Sequence, residues 1–142
     1  MSRTNYSRVF MGTLAAGLTA NVCDFITNSF LLAEDMHRMQ QRLNLDAAVV
    51  NGVPVLVTWT VVDFVLAFLI VWTYAAIRPR LGPGAGTALV AGMVPWLAIT
   101  AVLFGFQQMG VFTIDSFLKS ALLSFATFIL ASLAGGYVYQ ED

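Results

Sequence analysis

The chain has 142 residues, 58% of them hydrophobic and 11% charged, with a mean hydropathy of +0.78 and a formal net charge of -1. A soluble domain runs at about 45–50% apolar and about 25% charged residues because its surface must meet water, so this composition excludes a soluble globule and makes lipid the solvent of the outer side chains. The small net charge leaves no basic field for nucleic acid, and the single cysteine, Cys23, excludes a disulfide framework and a cysteine-based metal cluster.

In chain order, the first apolar segment runs from about Val9 to Ala33. Arg3 and Arg8 precede it as they would precede a signal peptide, but the run is longer than a signal core and carries Asn21 and Asp24. Ala20, Asn21 and Val22 do not place a small residue directly before Cys23, as a lipoprotein cleavage site requires, so the segment is expected to remain in the mature protein. From Glu34 to Leu45, Met36, Met39 and Leu43 recur at helical spacing among charged residues. That pattern predicts a short amphipathic helix, lying on the interface or continuing the first helix outward. Asn51-Gly52 marks a turn, and Pro54 opens the second apolar segment, which runs to about Ile77. The proline- and glycine-rich stretch from Arg78 to Gly86 predicts a tight turn that makes helices two and three antiparallel neighbours. The third segment, about Thr87 to Phe106, contains Pro95, which is expected to bend it and free the Ala91 carbonyl. After a short loop the fourth runs from about Ile114 to Tyr139, with Asp115 and Lys119 as a helix-start pair.

Each segment reaches the roughly 20 apolar residues that a spanning helix needs, and no window alternates with the period of a membrane β-barrel. The prediction is an all-α polytopic membrane protein, one domain over residues 1–142, built as a four-transmembrane-helix bundle with a short amphipathic helix between helices 1 and 2. Arg3, Arg8, Arg78 and Arg80 fall on one side. Arg38, Arg42 and Lys119 fall on the other, diluted by Glu34, Asp35, Asp46 and Asp115. That bias predicts both termini in the cytoplasm. All four tyrosines, Tyr6, Tyr74, Tyr137 and Tyr139, fall at one predicted face, as an interfacial belt on an even number of crossings would place them.

Two carboxylates sit inside spans. Asp24 and Asp63 each lie about nine residues from the outer end of their helix, roughly 14 Å deep at about 1.5 Å per residue. A lone charge at that depth costs at least about 2.5–3.5 kcal/mol, so such acids face the bundle interior, pair or stay protonated. Gly17, Asn21, Asp24 and Asn28 form one seam of the first helix. Thr60, Asp63, Ala67, Ile70 and Tyr74 form one seam of the second. Thr100, Ser124 and Thr127 fall at similar depth, so a polar layer is expected to cross the bundle, with the two acids sharing a proton. Asp24 and Asp63, supported by Asn21, Asn28 and Thr60, are therefore candidates for a proton or cation site. The alternative is that these groups only join helices by hydrogen bonds.

Small residues four apart, Gly12, Ala16 and Ala20 and again Thr127, Ala131 and Gly135, predict close helix contacts within one chain or between chains. His37, the only histidine, has no partner histidine or cysteine nearby, so no metal is expected. No serine or cysteine has a histidine in reach, so no catalytic site and no cofactor are predicted.

Residues 17 to 36, GLTANVCDFITNSFLLAEDM, and 72 to 89, WTYAAIRPRLGPGAGTAL, resemble a group of uncharacterised small bacterial four-helix integral membrane proteins. The resemblance covers about a quarter of the chain and implies a bacterial cytoplasmic (inner) membrane, with no implied substrate. In size and helix count the chain is also similar to small multidrug-resistance exporters, which carry one essential glutamate in their first helix where this chain has aspartates in two. Three functions follow as expectations: a carrier or conduit for protons or cations; a non-catalytic accessory or assembly subunit of a membrane complex, using the Glu34–Leu45 stretch as a contact surface; and, least supported, a lipid-acting enzyme. The lipid bilayer and a homo-oligomer or other membrane subunits are the expected partners.

Overall fold

The side chain of Asn5 starts the first helix by accepting the Arg8 amide at 3.2 Å, which satisfies one of the N–H groups left unpaired at any helix start. In the computed structural model, which describes residues 5–139, α1 runs Tyr6–Ile26 and passes directly into a π-helical turn, Thr27–Leu31. A break at Leu32 leads to α2, Ala33–Arg42. A short helix, α3, Ala47–Val50, is capped by the Asp46 carboxylate on the Ala48 amide at 2.8 Å and leads through Gly52 into α4, Val53–Leu81. Then come α5, Ala85–Gln108, and α6, Ile114–Val138, which the Thr113 hydroxyl caps.

α1 with its π-turn, α4, α5 and α6 are each long and apolar enough to cross a membrane. The described residues contain no strand. The predicted all-α, four-span fold is therefore the fold the chain adopts, with two short helices, α2 and α3, between the first two spans where one was predicted. The boundaries differ where proline was read as a stop. α4 continues through Pro79 to Leu81, because a proline so near the end removes one backbone bond and Arg78 and Arg80 suit the negative end of the helix dipole. The turn itself is Gly82–Gly84, with φ of 82° and 128° at the two glycines, a region open to glycine at little cost. α5 holds Pro95 inside one continuous helix, the position expected for it.

The four spans form a ring in which α1 packs on α4 and α6, and α5 packs on the same two, with every neighbour antiparallel. Small residues make the ring tight. Ala16, Ala67, Ala91, Ala131 and Ser132 are almost fully buried, whereas Phe10, Leu18, Phe25, Trp59 and Leu122 point outward. The two small-residue seams meet each other, inside one chain. A Cβ on Gly12 would stand 3.0 Å from the Gly135 carbonyl, and one on Gly135 would stand 3.0 Å from Ala16 Cβ.

The ends of the ring differ. At one end the Tyr6 ring lies 6.3 Å from Trp72, the Tyr74 and Tyr139 rings meet edge to face at 5.8 Å, and the Arg78 guanidinium stands over Tyr139. These are the tyrosines expected to share a face; Arg3, assigned to the same side, lies outside the described residues. At the other end α2 folds back onto α6. Asp35 is only 9% exposed, and its carboxylate accepts the Ser116 hydroxyl at 3.0 Å and Lys119 Nζ at 3.4 Å. Lys119 also bonds Asp115 at 2.8 Å, and the Arg42 guanidinium donates to the Val111 carbonyl in the α5–α6 loop.

The Ser116 hydroxyl, then Lys119 and Arg38, hold the Asp35 carboxyl below its ordinary value of 3.8 against the opposing effect of burial. A carboxyl with a lowered folded value stabilises the fold above its unfolded value, and that stability is lost as pH falls through the folded one. Ser116→Ala is expected to weaken α2 docking by about 1.5–3 kcal/mol at neutral pH, the worth of a bond to a charged group. The difference should shrink at pH below the folded value. Hydrogen exchange of the α2 amides in wild type and variant at both pH values reads it out, and equal protection at neutral pH would refute the tether.

Candidate functional site

α1 and α4 run in opposite directions in contact, so a residue near the end of one meets a residue near the start of the other. Gly17 shows how close they come: a Cβ there would lie 2.2 Å from the Phe64 ring. This approach brings Asp24 of α1 and Asp63 of α4 to one small cavity, which Thr127 of α6 also lines. Asp63 is 7% exposed and Asp24 is half-buried. Thr127 Oγ1 donates only a long bond, 3.4 Å, to the Leu123 carbonyl of its own helix, which leaves it placed to turn toward the acid.

The three polar groups border a cavity of about 30 Å³, otherwise lined by Ala20, Leu66, Ala67, Ile70, Phe128 and Ala131. On each helix the polar residue is the lining residue closest to the α2 end, so the polar rim of the cavity faces that end and its apolar floor faces the tyrosines. About 10–15 Å³ accommodates one water, so the space fits a water or a single-atom ion and no organic molecule. Two carboxyls and one hydroxyl belong to the residues that line it. Two carboxyls that share an apolar cavity hold together when a proton or a cation lies between them.

The remaining sequence candidates lie elsewhere. The Asn21 amide donates to the Gly17 carbonyl at 2.9 Å, the Asn28 amide to the Asp24 carbonyl at 2.9 Å, and the Thr60 hydroxyl to the Leu56 carbonyl at 3.0 Å. Asn28 and Thr60 are exposed, and none of the three lines the cavity. Helical geometry explains this. Three residues turn about 300°, so Thr60 points roughly 60° away from Asp63, and the wider π-turn rotates Asn28 outward. The expected layer also stops short of α5: Thr100 Oγ1 is buried without a hydrogen-bond partner among the described residues and does not border the cavity. Ala67 and Ile70, placed on the Asp63 seam from sequence, do line it.

A larger groove of about 480 Å³ lies at the tyrosine end, between Tyr74, Gly84, Ala88, Leu133 and Tyr137. It is open and mostly apolar, and its titratable groups are two phenols, one of which, Tyr74, already accepts the Gly84 amide at 3.2 Å. The smaller cavity is the one lined by carboxyls. Among the described residues, no group of three or more histidine, cysteine or acidic side chains is placed to bind a metal.

Fold and site together define a multi-pass membrane protein of four spanning helices that encloses one carboxylate pair. No family model, curated protein or solved structure matches the chain.

Proposed function

We propose that this chain is a proton- or cation-coupled membrane carrier or conduit, and that the Asp24–Asp63 pair is its binding site. The observation that carries the reading is the meeting of the two acids, from different helices, around a cavity of about 30 Å³. A site that size takes a proton, a water or a bare cation. An acid pair is also an expensive way to join two helices, because interhelical hydrogen bonds average only about 0.6 kcal/mol in membranes while an unpaired charge at that depth costs several times more. Proton flux into vesicles containing the purified protein, under an imposed pH gradient and against empty vesicles, tests the reading. Flux at the empty-vesicle level would count against a proton conduit.

The second reading is a non-catalytic accessory or assembly subunit, homo-oligomeric or bound to other membrane subunits. What favours it is the closed packing around the pair, which is compatible with a shared proton acting only as a link between α1 and α4. The proposed setting in both cases is a bacterial cytoplasmic membrane with both termini in the cytoplasm, so that α2 and α3 face outward. A reporter fused after Asp142 is expected to read cytoplasmic, and one inserted near Val49 to read external; an external C-terminus would reverse the orientation.

A further inference from the structure

We infer that protons reach the Asp24–Asp63 pair from the α2 end, along a file of hydroxyls on α6 formed by Ser116, Ser120, Ser124 and Thr127, with Asp35 as the carboxylate at its mouth. The inference rests on the proton-carrier reading above and supplies its route.

The four hydroxyls are spaced 4, 4 and 3 residues apart, which is one face of a helix. That face points into the bundle: Ser116 and Thr127 are buried and Ser120 and Ser124 half-buried, while Leu118, Leu122 and Ala126 on the other side are exposed. At about 1.5 Å per residue the steps are roughly 6, 6 and 4.5 Å. One water spans such a gap, since two hydrogen bonds of about 2.8 Å in line cover it. Ser124 already donates to the Ala121 carbonyl at 3.1 Å and Thr127 to that of Leu123, and each oxygen keeps lone pairs to accept from such a water. A proton then moves by successive transfer: Asp35 takes one from the α2 side and gives one up to the file, each hydroxyl or water accepts one from the mouth side and releases one toward the pair, and only the acid of the pair that receives the proton ends with a changed charge.

Two independent features mark the ends. At the inner end, the polar residues of the cavity lie on its α2 side and the apolar ones on the far side, so the pair is on the side from which the file arrives. At the outer end, Asp35 is more than nine-tenths buried and bonded to Ser116, the first hydroxyl of the file. Asp35 accepts the Ser116 proton here, so delivery starts when the carboxylate takes a proton from the α2 side and the Ser116 hydroxyl turns inward to hand its own along the file. The competing explanation is that the serines bond only to their own helix and the seam is dry.

The test uses full-length protein in vesicles, in a Cys23→Ser background, with single cysteines from Ser120→Cys, Ser124→Cys and Leu122→Cys, and Val49→Cys to mark the α2 side. The probe is Ag⁺, small enough for the file and reactive with thiolate. Only a thiol in contact with water ionises readily, so Ser120→Cys and Ser124→Cys should react at least about tenfold faster than the lipid-facing Leu122→Cys. They should react from the side that labels Val49→Cys. Wild-type elution of each variant in detergent checks its fold. Seam thiols no faster than Leu122→Cys, or reached only from the other side, would overturn the route. Proton flux separates the two claims. Intact flux with a dry seam discards the route and keeps the carrier; a labelled seam without wild-type flux keeps a water file and discards the carrier. A several-fold drop in flux for Ser124→Ala, with Leu122→Ala unchanged, completes the expected result.

Discussion

Gly135→Leu should dismantle the bundle, whereas Gly105→Leu should leave it intact. Both substitutions put a large apolar side chain into a spanning helix, and both replace glycine by a better helix former, a gain of up to about 1 kcal/mol. The surroundings differ. A Cβ at Gly135 would stand 2.7 Å from Val71 Cγ2, 3.0 Å from Ala16 Cβ and 3.2 Å from the Gly12 carbonyl. Val71 is β-branched and stiff, and the other two neighbours are a methyl and a backbone oxygen, so none can swing aside. The helices must separate, and the matching Gly12 contact on α1 opens with them. Overpacking by a single group costs about 1–3 kcal/mol, and a whole leucine at this seam should exceed the upper figure. At Gly105 a Cβ would meet nothing within 4 Å. Unfolding in a graded series of denaturing detergent, monitored by far-ultraviolet circular dichroism, reads both. Equal midpoints for wild type and Gly135→Leu would mean that α1 and α6 do not pack through this seam.

The same seam shows what a sequence can and cannot disclose about such a fold. The number and approximate places of the spans follow from apolar length, which is a local property. That is why the positions of Pro54 and the Gly82–Gly84 turn were readable. Gly12, Ala16 and Ala20 announced a close contact by their spacing, but spacing cannot say which surface fits them; only packing α1 on α6 does. Asp24 and Asp63 were legible because acids are costly at that depth. Thr60 and Asn28 were drawn into the site because a seam read at three- and four-residue steps tolerates rotations of about 40–60° that the folded helices do not. Asp35 carried no signal at all. In sequence it is one acid among several outside the membrane. Its burial depends on α2 folding back to reach Ser116, which lies 81 residues away along the chain. The π-turn at Thr27–Leu31 that precedes this fold-back likewise has no mark in residue type.

Asp63→Asn should abolish proton flux in reconstituted vesicles and barely change stability. The amide keeps the shape of the carboxyl and can donate a hydrogen bond to Asp24, so the packing of α1 on α4 is retained. It cannot release or accept a proton in the working range, so the pair can no longer cycle. Loss to the empty-vesicle level with a stability change below about 1 kcal/mol, in line with the small worth of interhelical bonds, is the expected pattern; Asp24→Asn should behave alike. Asp63→Leu is expected to differ in kind, because it strands the Asp24 carboxyl in an apolar cavity with Thr127 as its remaining polar neighbour. That variant should lose flux and also about 2.5–3.5 kcal/mol, the cost of an unpaired acid at this depth if it ionises. The comparison separates the two roles an acid pair can have. If the pair only joins helices, asparagine substitutes well in both positions and flux, where present, is unchanged in either variant. Wild-type flux in both asparagine variants would take the two aspartates out of the mechanism and leave the accessory-subunit reading in front.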